Sequence, residues 1–238
     1  MYGMYGYGYG YGLDPTIILV LIGVALSLWA QGRVNSTFSR YSRVRSMTGM
    51  TGAEAARRLL NAQGIYDVTV QQIAGELTDH YDPRTKTVNL SQSVYGATSV
   101  AAIGVAAHEC GHAMQDNEGY APLRFRSALV PVANFGSSLS WPLILLGLVF
   151  GGLGSPLVEI GILMFSLAVL FQLPVEYNAS ARAVRLLDAQ GILAGEEVNG
   201  TRKVLNAAAL TYVAAAATSI LQLLRLIILF GGRNRRDR

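Results

Sequence analysis

The sequence predicts a mainly α-helical, multi-pass membrane protein with about four transmembrane helices and one small water-facing domain. Two observations carry this. Of the 238 residues, 51% are hydrophobic and only 14% charged, too apolar a balance for an ordinary soluble chain. The apolar residues also gather in long runs of the length that crosses hydrocarbon, with ordinary polar sequence between them.

The charge balance, 19 Lys and Arg against 15 Asp and Glu, is nearly even, and no basic stripe with interleaved aromatics appears. Nucleic acid is therefore excluded as a partner, and the arginines, which mostly flank apolar runs, read as topology signals. Cys110 is the only cysteine, so no intrachain disulfide can form and nothing marks an oxidising compartment.

In chain order, residues 1–12 form a Tyr-Gly lead of low complexity that cannot bury a core and is expected to be disordered. It lacks the basic start and cleavage site of a secretory signal, so the apolar run 13–30 is expected to stay as the first transmembrane helix. Trp29 closes that run, and Arg33, Arg40, Arg43 and Arg45 follow. Residues 31–128, with ten Lys or Arg and eight Asp or Glu, read as the water-facing domain.

Within this domain Thr51 and Glu54 have capping-box spacing ahead of an amphipathic helix that Gly64 should end. Segments Glu76 to Tyr81 and Lys86 to Ser91 flank Asp82-Pro83-Arg84-Thr85 and predict a β-hairpin. From Ser93 to Gln115 the helical spacing buries Val100, Ile103, Val105 and Ala107. Residues 129–173 then predict a membrane hairpin of two helices, 174–206 a polar helical segment, 207–230 a fourth membrane helix and 231–238 a basic tail.

By the positive-inside rule the arginines after the first helix and the segment holding Arg182, Arg185, Arg202 and Lys203 share the cytoplasmic side. The active domain would then face the cytoplasm from a bacterial inner membrane. A spanning fourth helix conflicts with this rule, because it would export the tail bearing Arg233, Arg235, Arg236 and Arg238.

The chemistry is concentrated in His108-Glu109-Cys110-Gly111-His112. Two histidines four residues apart project from one face of a helix and can reach one metal ion. A glutamate directly after the first lies beside the open coordination position, as a general base for water requires. The pattern predicts a hydrolase with one zinc ion. A catalytic zinc needs a third protein ligand, and Glu176, in Leu173-Pro-Val-Glu-Tyr-Asn-Ala-Ser after the third apolar run, is the preferred candidate. The competing reading makes it an N-terminal helix acid favoured by the helix dipole.

His80, in Thr78-Asp-His-Tyr-Asp-Pro, or its neighbour Tyr81, could stand near a developing oxyanion. The blander alternative is a polar residue near a turn, satisfied by Asp79 or Asp82. The hairpin also offers an edge to which an extended peptide could add as a strand. Arg182 and Arg185 read as partners of Asp188, and Cys110 as a small core residue.

These segments resemble the neutral zinc metallopeptidases of bacterial membranes, the YugP type. The resemblance runs through Gly75-Glu-Leu-Thr-Asp-His-Tyr-Asp-Pro-Arg, Gly104-Val-Ala-Ala-His-Glu-Cys-Gly-His-Ala, Leu123 to Gly136, the Glu176 segment, and Lys203-Val-Leu-Asn-Ala-Ala-Ala-Leu-Thr-Tyr-Val-Ala-Ala. More distantly the chain is similar to the HtpX-type heat-shock proteases and the prenyl-protein endopeptidases. In these the second motif reads Glu-x-x-Ala-Asp and its Glu is the third zinc ligand. The resemblance implies a zincin-like domain of gluzincin type, with Glu176 as ligand. Ala179 matches the motif, but Ser180 stands where the relatives carry an Asp that supports a ligand or a neighbouring histidine.

The expected activity is hydrolysis of peptide bonds in membrane or misfolded proteins, with His108, His112 and Glu176 as metal ligands and Glu109 as base. One alternative is an intramembrane protease of the site-2 type with Asp188 as third ligand. The other is a scaffold that keeps zinc for folding, against which the intact Glu109 argues. The expected partners are a protein substrate and the bilayer.

Overall fold

The computed structural model describes residues 15–125 and 156–231. Six helices and three short strands carry the site: α1 (Ile17–Tyr41), α2 (Gly52–Ala62), β1 (Thr69–Ile73), β2 (His80–Asp82), β3 (Thr87–Ser91), α3 (Gln92–Tyr95), α4 (Val100–Asn117), α5 (Pro156–Ala189) and α6 (Glu196–Gly231). The fold is mainly helical with a small sheet, as expected.

Two described helices are long and apolar enough to cross a membrane, Ile17–Tyr41 and Glu196–Arg225, where the sequence suggests about four spans. Residues 126–155, which hold most of the expected membrane hairpin's first half and its turn, lie outside the described residues, as do the lead and residues 232–238 of the tail. Only 11% of the apolar window of α1 is buried inside the protein, so its apolar side chains face outward, as lipid-facing ones do and those of a soluble core helix do not.

Helices α1 and α6 lie antiparallel along one register. Thr16 accepts a hydrogen bond from Arg225 at 3.1 Å. Further along, Gly23 and Gly200 have no side chain where Thr218 and Tyr41 press close. The end of α1 is then tied to the start of α4, because Val100 N–H donates to Val44 O and Ser46 N–H to Thr98 O, both at 2.9 Å.

The core surrounds α4. Ala102, Ile103, Ala106, Ala107 and Cys110 are fully buried against Leu59 and Leu60 of α2, Val88 and Leu90 of β3, and Leu187 of α5. The capping box at Thr51 forms as the spacing predicts, with the Glu54 side chain accepting from Thr51 N–H at 2.8 Å. Helix α2 stops at Ala62, and Gly64 adopts φ +70°, the left-handed conformation that glycine supplies.

The predicted hairpin is present. β2 pairs antiparallel with β3, His80 opposite Asn89, and Asp82 shapes the turn by accepting from Arg84 N–H at 2.9 Å. The third strand, β1, lies parallel to β3 on its other side. The sequence reading lacks β1 because Thr69-Val-Gln-Gln-Ile is largely exposed and offers no apolar face.

Three helix boundaries differ from expectation. The stretch 93–115 is two helices, since Ser99 takes the N-cap of α4 and accepts from Ala102 N–H. Helix α5 runs unbroken across 173/174 with Pro174 inside it, so Glu176 does not begin a helix and the helix-dipole reading of it falls. Helix α6 likewise joins the polar segment 196–206 to the apolar run after it.

Candidate metal centre

Helix α4 presents His108 and His112 one turn apart on the same face, and α5 brings Glu176 up to them. Glycine makes the approach possible. A Cβ at Gly111 would lie 2.6 Å from Ala179 O, so the two backbones touch at the level of the histidines.

Three ligand atoms converge. The His108 Nε2 to Glu176 Oε2 distance is 3.1 Å, His108 Nε2 to His112 Nε2 is 3.2 Å, and His112 Nε2 to Glu176 Oε2 is 3.5 Å. A tetrahedral zinc with bonds of about 2.0–2.1 Å spaces its ligands about 3.3 Å apart. The triangle therefore has the dimensions, and the two imidazoles and one carboxylate the chemistry, of a three-ligand zinc centre.

Each imidazole is oriented from behind. His112 Nδ1–H donates to Gln115 Oε1 at 3.0 Å, and His108 Nδ1 lies 3.1 Å from Ser180 Oγ. The Gln115 oxygen, an acceptor, fixes the His112 tautomer that leaves Nε2 free as a ligand, and the Ser180 hydroxyl holds the His108 ring in place. Ser180 thus orients His108 with a neutral group, at the position where the resemblance leads one to expect an Asp.

Gln115, fully buried, also donates from Nε2 to Val175 O at 2.8 Å and to Asn178 Oδ1 at 3.0 Å. It joins the helix of the histidines to the helix of Glu176. Asn178 in turn accepts from Arg182 Nε at 2.7 Å, and Arg182 pairs with Glu118 at 2.6 Å. Arg182 therefore ties the ends of the two helices together, where the sequence suggests a pair with Asp188.

Burial alone would raise the Glu176 carboxyl, but the hydrogen bonds to His108 and His112 outweigh it and hold the group far below the usual carboxylate range. For His112 burial opposes charge, yet the Glu176 hydrogen bond and the charges of Glu109 and Glu176 raise its pKa overall. Burial pushes the Cys110 thiol up, and its Sγ–H points at Ala56 O, a core residue as expected.

Glu109 is 7% exposed and makes no hydrogen bond or ion pair with any described residue. A buried carboxylate left without such a partner is an exception that calls for a functional explanation. It lines two cavities that meet at the ligand triangle. The wider, about 600 Å³, runs under the hairpin past His80, Tyr81, Asp116 and Tyr120. The narrower, about 270 Å³, is walled by Val34 of α1, Leu77, Val105 and Leu205, Ala208 and Ala209 of α6.

His80 lines the wider cavity, but its ring nitrogens are engaged at 2.9 Å with Thr78 O and at 3.1 Å with the Asn89 amide. Its polar partners are thus not the neighbouring aspartates. Tyr81 O–H donates to Asp116 at 2.8 Å, and burial followed by that bond raises its pKa. Asp79 accepts from Ser91 N–H at 2.8 Å and fastens the hairpin over the cleft. Burial raises the Asp79 carboxyl, partly offset by the Ser91 bonds.

Asp188 is exposed and lies twelve residues beyond Glu176 on the same helix, about 18 Å away along its axis. It lies out of reach of the histidines. Sequence reasoning missed Gln115, whose only signal is its place three residues after His112. It also missed Tyr212 of α6, which lines both cavities.

Two imidazoles and a carboxylate converging beside a cleft make a candidate metal centre. The family described as "Putative neutral zinc metallopeptidase" matches residues 16–231, and the chain belongs to it. The chain is 48% identical over 217 residues to the "Putative membrane protease YugP" of Bacillus subtilis (strain 168), covering 90% of this chain and 96% of that protein. No solved structure matches the chain.

Proposed function

We infer that the protein is a membrane-bound zinc endopeptidase. The observation that carries this is the ligand triangle of 3.1, 3.2 and 3.5 Å with the unpartnered, buried Glu109 beside it. His108, His112 and Glu176 hold one zinc ion. When bound, zinc supplies a Lewis acid that acidifies water and polarises a carbonyl oxygen. Glu109 accepts the proton from water in the cleft and returns it to the leaving amine.

The Nδ1 partners of the histidines keep both rings turned toward the metal through the cycle. Tyr212, which lines both cavities together with Glu109, and His80, which lines the wider one, are the candidates to assist the developing oxyanion. The relative's printed name, a membrane protease, supports the activity, and α1 and α6 supply the anchor.

The substrate is an extended stretch of a membrane or misfolded protein. β2 is one of the two outer strands of the sheet among the described residues and forms one wall of the wider cavity, so a peptide adding to it would pass Glu109. The narrower cavity, whose walls include Val34, Leu77, Val105 and Leu205 beside the polar Gln31 and Asp79, takes the side chain next to the scissile bond. Arg33, Arg40, Arg43 and Arg45, which follow the apolar part of α1, orient the domain toward the cytoplasm.

Glu176→Gln and Asp188→Asn, each assayed for bound zinc and for cleavage of unfolded casein, test the assignment. Metal and activity should be lost only with Glu176. Loss with Asp188 instead would favour the site-2 type of centre.

A further inference from the structure

A second cleft, of about 610 Å³, lies between the polar ends of α1 and α6 and shares no lining residue with the metal site. Arg33, Thr37 and Arg40 enter it from one face of α1, and Lys203 and Asn206 from one face of α6. No carboxylate lines it, and among the described residues none of the three cations is paired with one. Arg40 rests instead on the Tyr41 ring, 5.7 Å from its centroid. Three unneutralised cations around one concavity repel each other and select an anion.

The surroundings select the kind of anion. Arg33 follows the end of the apolar run by one turn, and Trp29, 56% exposed, stands just before it, where interfacial aromatics sit. Ala207 and Leu210 give the cleft an apolar side. Beyond it the helices expose Ile22 and Trp29 on the face of α1 that carries Arg33 and Arg40, and Val213, Ile220 and Leu224 on α6. A cationic cup that opens onto an apolar surface fits a ligand with a phosphate at one end and acyl chains at the other.

We propose that this cleft binds the phosphate of an anionic glycerophospholipid. The guanidinium groups of Arg33 and Arg40 and the ammonium of Lys203 take the phosphate oxygens, Thr37 and Asn206 add neutral donors, and the acyl chains follow α1 and α6. Tyr177, the residue after Glu176, also lines the cleft, so the lipid joins α1 and α6 to the helix that carries the third ligand. This rests on the membrane reading of α1 and α6 and is independent of the peptidase chemistry.

The test is native mass spectrometry of the full-length, zinc-loaded chain in detergent. Dioleoylphosphatidylglycerol, dioleoylphosphatidylcholine and inorganic phosphate are titrated separately. Phosphatidylglycerol should bind at least tenfold more tightly than phosphatidylcholine. The triple variant Arg33→Gln, Arg40→Gln, Lys203→Gln should bind it on the order of a hundredfold more weakly, at about fivefold per charge near a membrane surface. Thr37→Glu, which keeps the cations and places a carboxylate among them, should weaken it at least tenfold. Zinc content should not change in either variant. Equal binding of the two lipids, or phosphatidylglycerol binding unchanged in both variants, overturns the proposal. Inorganic phosphate binding as tightly as the lipid overturns the lipid as the source.

Discussion

Replacing Gly111 with alanine tests how the metal centre is assembled. The new Cβ would sit 2.6 Å from Ala179 O and 3.0 Å from its Cα, against 3.4 Å where ordinary contact begins, so the helices must part by about 0.8 Å. Neither side can yield locally, because both atoms it meets are helix backbone. Glu176 lies one turn before Ala179 on α5 and would move with it, taking Oε2 from 3.1 Å toward about 3.9 Å from His108 Nε2. Metal ligands tolerate about ±0.2 Å, so the third ligand is lost or strained. Zinc affinity, measured by competition with a chromogenic chelator, should fall about a hundredfold. Overpacking should also cost about 1–3 kcal/mol of stability, against about 1 kcal/mol gained from helix propensity. Gly32→Ala is the control, the same change inside α1 with nothing within 4 Å of the new Cβ. It should leave zinc affinity unchanged. Wild-type zinc affinity in Gly111→Ala would refute the reasoning.

Other predictions follow from the surroundings of the ligands. Ser180→Ala removes the partner of His108 Nδ1 at 3.1 Å and should weaken zinc about 10–100-fold, with Ser180→Asp restoring it; equal affinity in all three proteins would deny Ser180 an orienting role. Tyr212→Phe should lower kcat about a hundredfold at unchanged zinc content, while His80→Ala, whose ring nitrogens already have partners, should lower it less; the reverse order would assign the oxyanion to His80. The pH dependence of stability should change sign with metal. Without zinc, the raised His112 contributes stability that is full below its ordinary value of 6.5 and fades as pH climbs through its folded value. With zinc, both imidazoles stay deprotonated while the unfolded chain protonates them, so stability falls as pH drops through and below 6.5. Chelator-treated protein should lose thermal stability as pH rises above 6.5 and zinc-loaded protein as pH falls below it, and loss in the same direction in both would contradict the ligand set.

How much of this was legible in the sequence follows from the range of each interaction. The spacing of His108, Glu109 and His112 needs only one helical turn, so their place on one face could be read directly. So could the box at Thr51 and the turn at Asp82, where each residue bonds a neighbour within three positions. Glu176 could be preferred from its place after the third apolar run and was supported by the resemblance, although nothing local shows that α5 folds back onto α4. The boundaries of α5 and α6 were misread where apolar sequence turns polar, although a helix can pass from bilayer to water without a break. Even Pro174 leaves α5 continuous, since a proline removes one backbone donor and need not end a helix. Gln115 was missed because a glutamine after two histidines looks like a surface residue until Val175 and Asn178 arrive from another helix. β1 was missed because it is largely exposed and only Val70 packs against the core.

The account stands or falls on Glu109. The measurement is metal content together with casein cleavage by purified wild-type protein and Glu109→Gln in detergent. One zinc per chain in both, with cleavage by the wild type alone, is the result the structure predicts. Equal cleavage by the two proteins, or wild-type cleavage that needs no metal, would contradict it.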